Sequence, residues 1–196
     1  MIAIIDYGAS NLQSVCNALS KLNQTYKVVS RPRELADAKK VILPGVGAAE
    51  KTMKVLLENG FIEAIPLLRV PFLGICLGLQ LLADFSEEGN VECLSIISGR
   101  VKKFSSSQLK IPQIGWNKVE FTNQSRLFKG IPNGSYFYFV HSFYFEASEK
   151  NIVGKTNYGI PFASIVQRNN FYATQFHPEK SGLLGLKLLH NFCKQC

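Results

Sequence analysis

The first half of this chain repeats one alternation that leaves few folds open. The apolar run IAIID (residues 2–6) stops at Asp6-Tyr7-Gly8, and Leu12, Val15, Cys16, Leu19 and Leu22 then recur at helical spacing. VILPGVG (41–47) breaks at Pro-Gly before helical stretches over 48–59 and 61–68. VPFLGI (70–75) leads into a helix carrying Leu77, Leu81 and Leu82, and Tyr26 to Val29 reads as a further strand. Uninterrupted apolar strands need cover on both faces, which a mostly parallel sheet between helix layers supplies. The expected class is α/β. From about residue 91 the pattern changes to short strands, LSII, GRVKKF, WNKVEF, SYFYFVHSFYF, NIVGKT, FASIVQR and NFYATQF, separated by Gly, Asn, Ser and Pro clusters. An additional antiparallel region is therefore expected beside the parallel sheet. Ser181 is placed to N-cap a last helix bearing Leu183, Leu184, Leu186, Leu188 and Leu189. No repeat or linker divides the chain, so residues 1–196 are expected to form a single domain.

Composition excludes several functional classes. With 46% hydrophobic and 18% charged residues the chain is globular rather than disordered. No apolar run approaches the roughly 18–20 residues of a membrane span, and the opening segment reaches Asp6 without the basic start of a signal peptide. A cytoplasmic protein with no membrane contact is expected. The five cysteines, Cys16, Cys76, Cys93, Cys193 and Cys196, are odd in number and scattered, unlike a secreted disulfide framework. Net charge is +8, yet Lys39-Lys40 and Lys102-Lys103 are only doublets, and no nucleic-acid motif accompanies them. A solvated face or a partner surface accounts for the excess, with no nucleic-acid partner.

Gly74-Ile75-Cys76-Leu77-Gly78 places a thiol between a strand and a helix, the cysteine counterpart of the G-x-S-x-G nucleophile elbow. Flanking glycines remove side chains that would collide at such a sharp turn. The helix amino terminus beyond the turn favours the thiolate. A thiol nucleophile needs a base, and the base needs an orienter. Among three histidines, His177 in ATQFHPEKSG is the strongest candidate, because Pro178 stops the strand after it. Glu179, two residues on, would share one side of extended backbone with it. His141 is ambiguous and His190 reads as structural. The amide of Leu77 is one oxyanion donor, and the flexible PGVG loop (44–47) could turn in a second. The terminal HNFCKQC has metal-like spacing but lacks the second ligand pair of a structural zinc site, so no metal is expected.

PGVG, GICLGLQ and QFHPEKSG, in that order, resemble the class I (triad-type) glutamine amidotransferase family over essentially the whole chain. DYGASNLQSV, IGWNKVEF and YFYFVHSFY narrow the likeness to glutaminase subunits that serve a cyclase of histidine biosynthesis, one that forms imidazole glycerol phosphate. The resemblance implies a flavodoxin-like α/β fold and L-glutamine as substrate. Cys76, His177 and Glu179 would be catalytic, with the amides of Leu77 and Val46 as oxyanion donors. Gly45, Gly47, Gln80, Ser142 and Phe143 would hold glutamine. No metal or organic cofactor is implied. The implied partner is a separate (β/α)8-barrel cyclase, joined as a heterodimer through Asn11, Pro112, Trp116, Tyr138 and Lys180. Two departures lie near that surface: Ser10 replaces a usual glycine, and Gln113-Ile114 stand where His-Met is common. A paralogue feeding another synthase, such as a sugar amidotransferase, and a stand-alone γ-glutamyl thiol hydrolase both remain open.

Overall fold

The structure, a computed structural model, describes residues 1–8, 12–105 and 109–196. Strands β1 (Ile2–Ile5), β2 (Tyr26–Val29), β3 (Lys40–Leu43) and β4 (Phe72–Ile75) alternate with helices α1 (Leu12–Lys21), α2 (Ala49–Glu58), α3 (Phe61–Ala64) and the single-turn α4 (Leu77–Gln80). The strands β5 (Phe85–Ser86), β6 (Val91–Glu92), β7 (Gly99–Lys103), β8 (Gln113–Lys118), β9 (Glu120–Phe121), β10 (Tyr136–His141) and β11 (Phe143–Ala147) follow. β12 (Ile152–Tyr158), β13 (Ile160–Arg168) and β14 (Phe171–Thr174) precede the last helix, α5 (Gly182–Gln195).

The main sheet runs β2-β1-β3-β4-β14-β13-β11-β7-β5-β6, with β12 and β9 attached beside β13. Its β2 to β14 portion is parallel and the pairings from β14 to β13 and β13 to β11 are antiparallel, which is the mixed architecture expected. β1, β4 and β14 are buried at every position because helices cover both faces. Ile2, Ile4, Ile42, Leu73 and Tyr172 face α1 and α5, whereas Ala3, Val41, Leu43, Phe72 and Phe171 face α2 and α3. α2 buries Ala49, Thr52, Met53 and Leu56, and α5 buries Gly185, Leu188, Leu189 and Phe192, both at i, i+3, i+4, i+7 spacing. Fully buried Phe61 and Phe192 each contribute about 2–3 kcal/mol of apolar burial.

Four local expectations are corrected. The late strand β14 is not part of an antiparallel hairpin region alone. It inserts parallel to β4, with Thr174 opposite Ile75, and so completes the parallel core. The helix after Cys76 lasts one turn, because the carbonyls of Leu81 and Leu82 accept the N–H groups of Leu94, Ile96 and Ile97 instead of continuing a helix. LSII is consequently an irregular segment that supplies those donors, not a strand. Ser181 precedes α5 as expected but does not cap it; its Oγ donates to the His177 carbonyl at 2.6 Å and accepts from the Tyr138 N–H at 3.0 Å. A separate two-stranded ribbon, β8 with β10, pairs Trp116 with Tyr138 and Ile114 with Val140.

Candidate active site

Cys76 stands immediately after β4 with φ 54° and ψ −104°, a conformation an L-residue adopts only under strain. The two glycines around it explain how the turn is tolerated. A Cβ on Gly74 would overlap the carbonyl of Gly78, and a Cβ on Gly78 would overlap the carbonyl of Leu43 on the adjacent β3. Both glycines are thus required by close backbone approach, one within the turn itself and one against a neighbouring strand. α4 is too short to supply much of a dipole, so the environment of the sulfur is set mainly by side chains.

β14 beside β4 brings the end of the chain to the thiol. Gln175, fully buried, donates from Nε2 to Cys76 Sγ at 3.6 Å, and the Val140 carbonyl lies 3.7 Å from the sulfur as an acceptor for its S–H. His177 is 1% exposed and hydrogen-bonds the Cys76 side chain, while its Nδ1 meets Glu179 Oε1 at 2.8 Å. Glu179 lies in a 3-10 turn, residues 178–180, rather than on extended backbone, and the turn brings the carboxylate back under the ring. Burial works against a charged imidazole here. The charge and hydrogen bond of Cys76, with Glu179 behind, outweigh it and carry the His177 pKa up to about 10. The backbone of His177 is fixed as well, its N–H donating to the Tyr138 carbonyl at 2.9 Å. The arrangement can draw the thiol proton onto the imidazole as the sulfur attacks and return a proton to a leaving group.

A cleft of about 260 Å³ opens above the sulfur, lined by Val46, Gly47, Cys76, Leu77, Gln80, Glu88, Pro112, Val140, His141, Ser142 and Phe143. Gly47, Gln80, Ser142 and Phe143 therefore meet around one cavity. Gly45 does not line it: its carbonyl accepts the Leu77 N–H at 3.4 Å, so the amide expected to bind an oxyanion is occupied by the PGVG loop itself. Pro112, expected at a partner surface, is part of the cleft wall. Gln80 Nε2 donates to the Phe143 carbonyl at 3.0 Å and to Gln175 Oε1 at 3.1 Å.

Residues that sequence reasoning did not place in the site also meet here. Gln175 carries a signal in retrospect, a carboxamide in an otherwise apolar strand end two residues before His177. Glu88 enters from the β5–β6 turn; its Oε2 accepts the Ala49 N–H at 3.0 Å, and burial raises its pKa despite that bond. His141, left ambiguous by the sequence, lines the cleft. Burial first, and the nearby His177 charge, lower its pKa to about 4 despite the bond to the Phe143 carbonyl. It is therefore neutral at pH 7, with Nδ1–H donating to that carbonyl at 2.7 Å. Its bare Nε2 lies 2.9 Å from the Gln113 carboxamide, which must then present its N–H side there.

Of the residues expected at a partner surface, Trp116 is 56% exposed and packs edge-on against Tyr138 at 6.1 Å, and Lys180 is exposed next to Glu179. Asn11 and the Ser10 departure lie outside the described residues. Among the described residues no His, Cys, Asp or Glu cluster is arranged to hold a metal ion, and no helix is long and apolar enough to cross a membrane.

A strained cysteine at the carboxyl edge of a parallel sheet, with a His-Glu pair from the neighbouring strand's end, has clear relatives. Residues 3–196 match glutamine amidotransferase class-I, and the chain belongs to that family. It is 48% identical to imidazole glycerol phosphate synthase subunit HisH of Dehalococcoides mccartyi strain CBDB1, across 99% of this chain and 97% of the relative. Subunit HisH 1 of Campylobacter jejuni strain RM1221 is 47% identical over 99% of this chain and its own full length. A solved glutamine amidotransferase from Thermotoga maritima shares the fold at TM-score 0.68 and 19% identity, covering 99% of this chain and 82% of that one.

Proposed function

We propose that this chain is the glutaminase subunit of imidazole glycerol phosphate synthase. It hydrolyses L-glutamine to glutamate and ammonia and passes the ammonia to a (β/α)8-barrel cyclase in histidine biosynthesis, in the cytoplasm. The contact of Cys76, which lines the cleft, with the buried His177–Glu179 pair carries this reading. Cys76 Sγ gives its proton to His177 as it attacks the side-chain amide carbon of glutamine, and the carbonyl oxygen takes the negative charge. His177 protonates the departing ammonia and then draws a proton from the water that cleaves the γ-glutamyl thioester. Gln80, Ser142, Phe143 and Gly47 position the substrate, and Glu88 faces its α-ammonium group. Leu77 and Val46 supply the oxyanion donors once the Gly45–Val46 peptide turns over, which withdraws the Gly45 carbonyl from the Leu77 amide and swings the Val46 N–H inward.

Ammonia released into water at neutral pH becomes ammonium, which is no nucleophile, so the product needs an adjacent consumer. The ribbon face that carries Tyr136, Tyr138 and Val140 on β10, with Trp116 and Ile114 on β8, supports such a partner. It runs from exposed aromatics directly to Val140 in the cleft wall. Exposed aromatic anchors suit a protein interface and have no use in a stand-alone hydrolase. The test is glutamate release from glutamine by the chain alone and with the cyclase plus its ribotide ligand. Strong stimulation is expected. Cys76→Ala is expected to abolish glutamine-dependent synthesis and leave ammonia-dependent synthesis intact; loss of both would refute the assigned role of the thiol.

A further inference from the structure

Of the buried polar groups that the chemistry proposed for Cys76 leaves unused, one lies beside the PGVG loop. Tyr7 follows β1, and its ring packs into the core that also holds Leu43, Ala49, Met53 and Leu77. Its hydroxyl is sealed from solvent and has no hydrogen-bond partner among the described residues. The Thr52 hydroxyl is close enough to influence its ionisation but stands outside hydrogen-bond geometry. Phenylalanine would fill the same space without an unsatisfied oxygen, so the hydroxyl costs stability in this state.

The position of that oxygen gives it a use. A Cβ built on Gly45 would lie 2.5 Å from Tyr7 Oη and 2.8 Å from Leu77 Cβ. One more carbon–carbon bond places Oη within about 4 Å of Gly45 Cα. Because β3 lies between β1 and β4, Gly45 beyond the end of β3 stands between Tyr7 beyond β1 and Leu77 beyond β4. In the present state its carbonyl faces the β4 side and accepts the Leu77 N–H. Turning the Gly45–Val46 peptide over sends the carbonyl toward the β1 side, where it is buried and needs a new donor.

We propose that Tyr7 is a positioning residue for the oxyanion step, donating its hydroxyl to the Gly45 carbonyl in the turned-over state and so holding the Val46 N–H toward the substrate oxygen. This rests on the glutaminase reading. The two states then exchange partners. At rest Leu77 serves the carbonyl and the phenol is unserved; at work the phenol serves the carbonyl and Leu77 is released to the oxyanion. Burial raises the phenol pKa, so it remains a donor throughout the physiological range.

The test is Tyr7→Phe in the full chain bound to the barrel cyclase with its ribotide, followed by glutamate release. Loss of one neutral hydrogen bond from the working state lowers kcat about tenfold. KM for glutamine stays within about twofold, since the resting pocket is unchanged. Alkylation of Cys76 by iodoacetamide, which builds no oxyanion, keeps its rate, and the thermal midpoint stays equal or rises. An unchanged kcat overturns the proposal. So does a kcat loss accompanied by slower alkylation or a lower midpoint, which would place Tyr7 in the support of the thiol or the fold. A wild-type complex that releases no glutamate overturns the glutaminase reading and this proposal together, whereas an active wild type with an equally active Tyr7→Phe removes Tyr7 alone.

Discussion

Acidification is expected to unfold this protein partly through one imidazole. His141 is buried, and its pKa falls from 6.5 to about 4 in the folded state. The sign follows from proton uptake: between those values the unfolded chain binds a proton that the native state refuses, so stability is lost as pH falls through 6.5. Integrating the uptake gives a loss of about 2 kcal/mol at pH 5 and about 3 kcal/mol at pH 4. At pH 7.5 the contribution vanishes. His177 runs in the opposite sense, its pKa raised to about 10, so its contribution is complete below 6.5 and fades as pH rises through 10. Urea denaturation of wild type and His141→Gln at pH 7.5, 6 and 5 separates the two, because glutamine does not titrate and its N–H can still reach the Phe143 carbonyl. The stability difference between wild type and variant is expected to shift by about 2 kcal/mol against wild type between pH 7.5 and 5. Parallel curves would mean that His141 titrates normally, and the neutral tautomer assigned to it, with its Gln113 partner, would be wrong.

Two other substitutions probe the frame and the surface. Gly78→Ala is expected to destabilise by about 1–3 kcal/mol and to slow iodoacetamide alkylation of Cys76, since the added methyl meets the Leu43 carbonyl and pushes the elbow off β3; an unchanged urea midpoint would refute the close-packing account. Trp116→Ala is expected to raise the Kd for the barrel cyclase by about 30-fold or more, about 2 kcal/mol, with the thermal midpoint of the free chain unmoved. Titration calorimetry reads the first quantity, and unchanged affinity would move the docking face elsewhere.

Much of the frame was legible because its causes are local. Gly74 and Gly78 bracket Cys76 for reasons of backbone approach that any strand-to-helix corner imposes, and the i, i+3, i+4, i+7 burial of α2 and α5 follows from side-chain spacing. The pairing of β14 with β4 was not legible. Its short apolar run fits a hairpin as well as a parallel core, and only the vacant edge of β4 decides between them. Gln175 was missed for that reason, since its contact with Cys76 spans 99 positions. Glu88 enters the cleft from the β5–β6 turn and His141 from the last position of β10, both aimed by packing between distant segments. The orientation of the Gly45 peptide depends on one hydrogen bond to Leu77, which no local pattern encodes.

The place of β14 in the middle of the main sheet has a consequence during synthesis. β1 to β4 emerge from the ribosome first and can pair at once, but the far edge of β4 waits for a strand made about a hundred residues later. At a translation speed of about 5–20 residues per second, that edge stays open for roughly 5–20 s. An apolar edge with unpaired backbone is an invitation to other nascent chains. The same delay keeps His177 away from Cys76, so the thiol acquires its partner only when the last strand seals the sheet. The growing polypeptide is thus exposed to aggregation for the whole interval in which Cys76 and His177 are still apart.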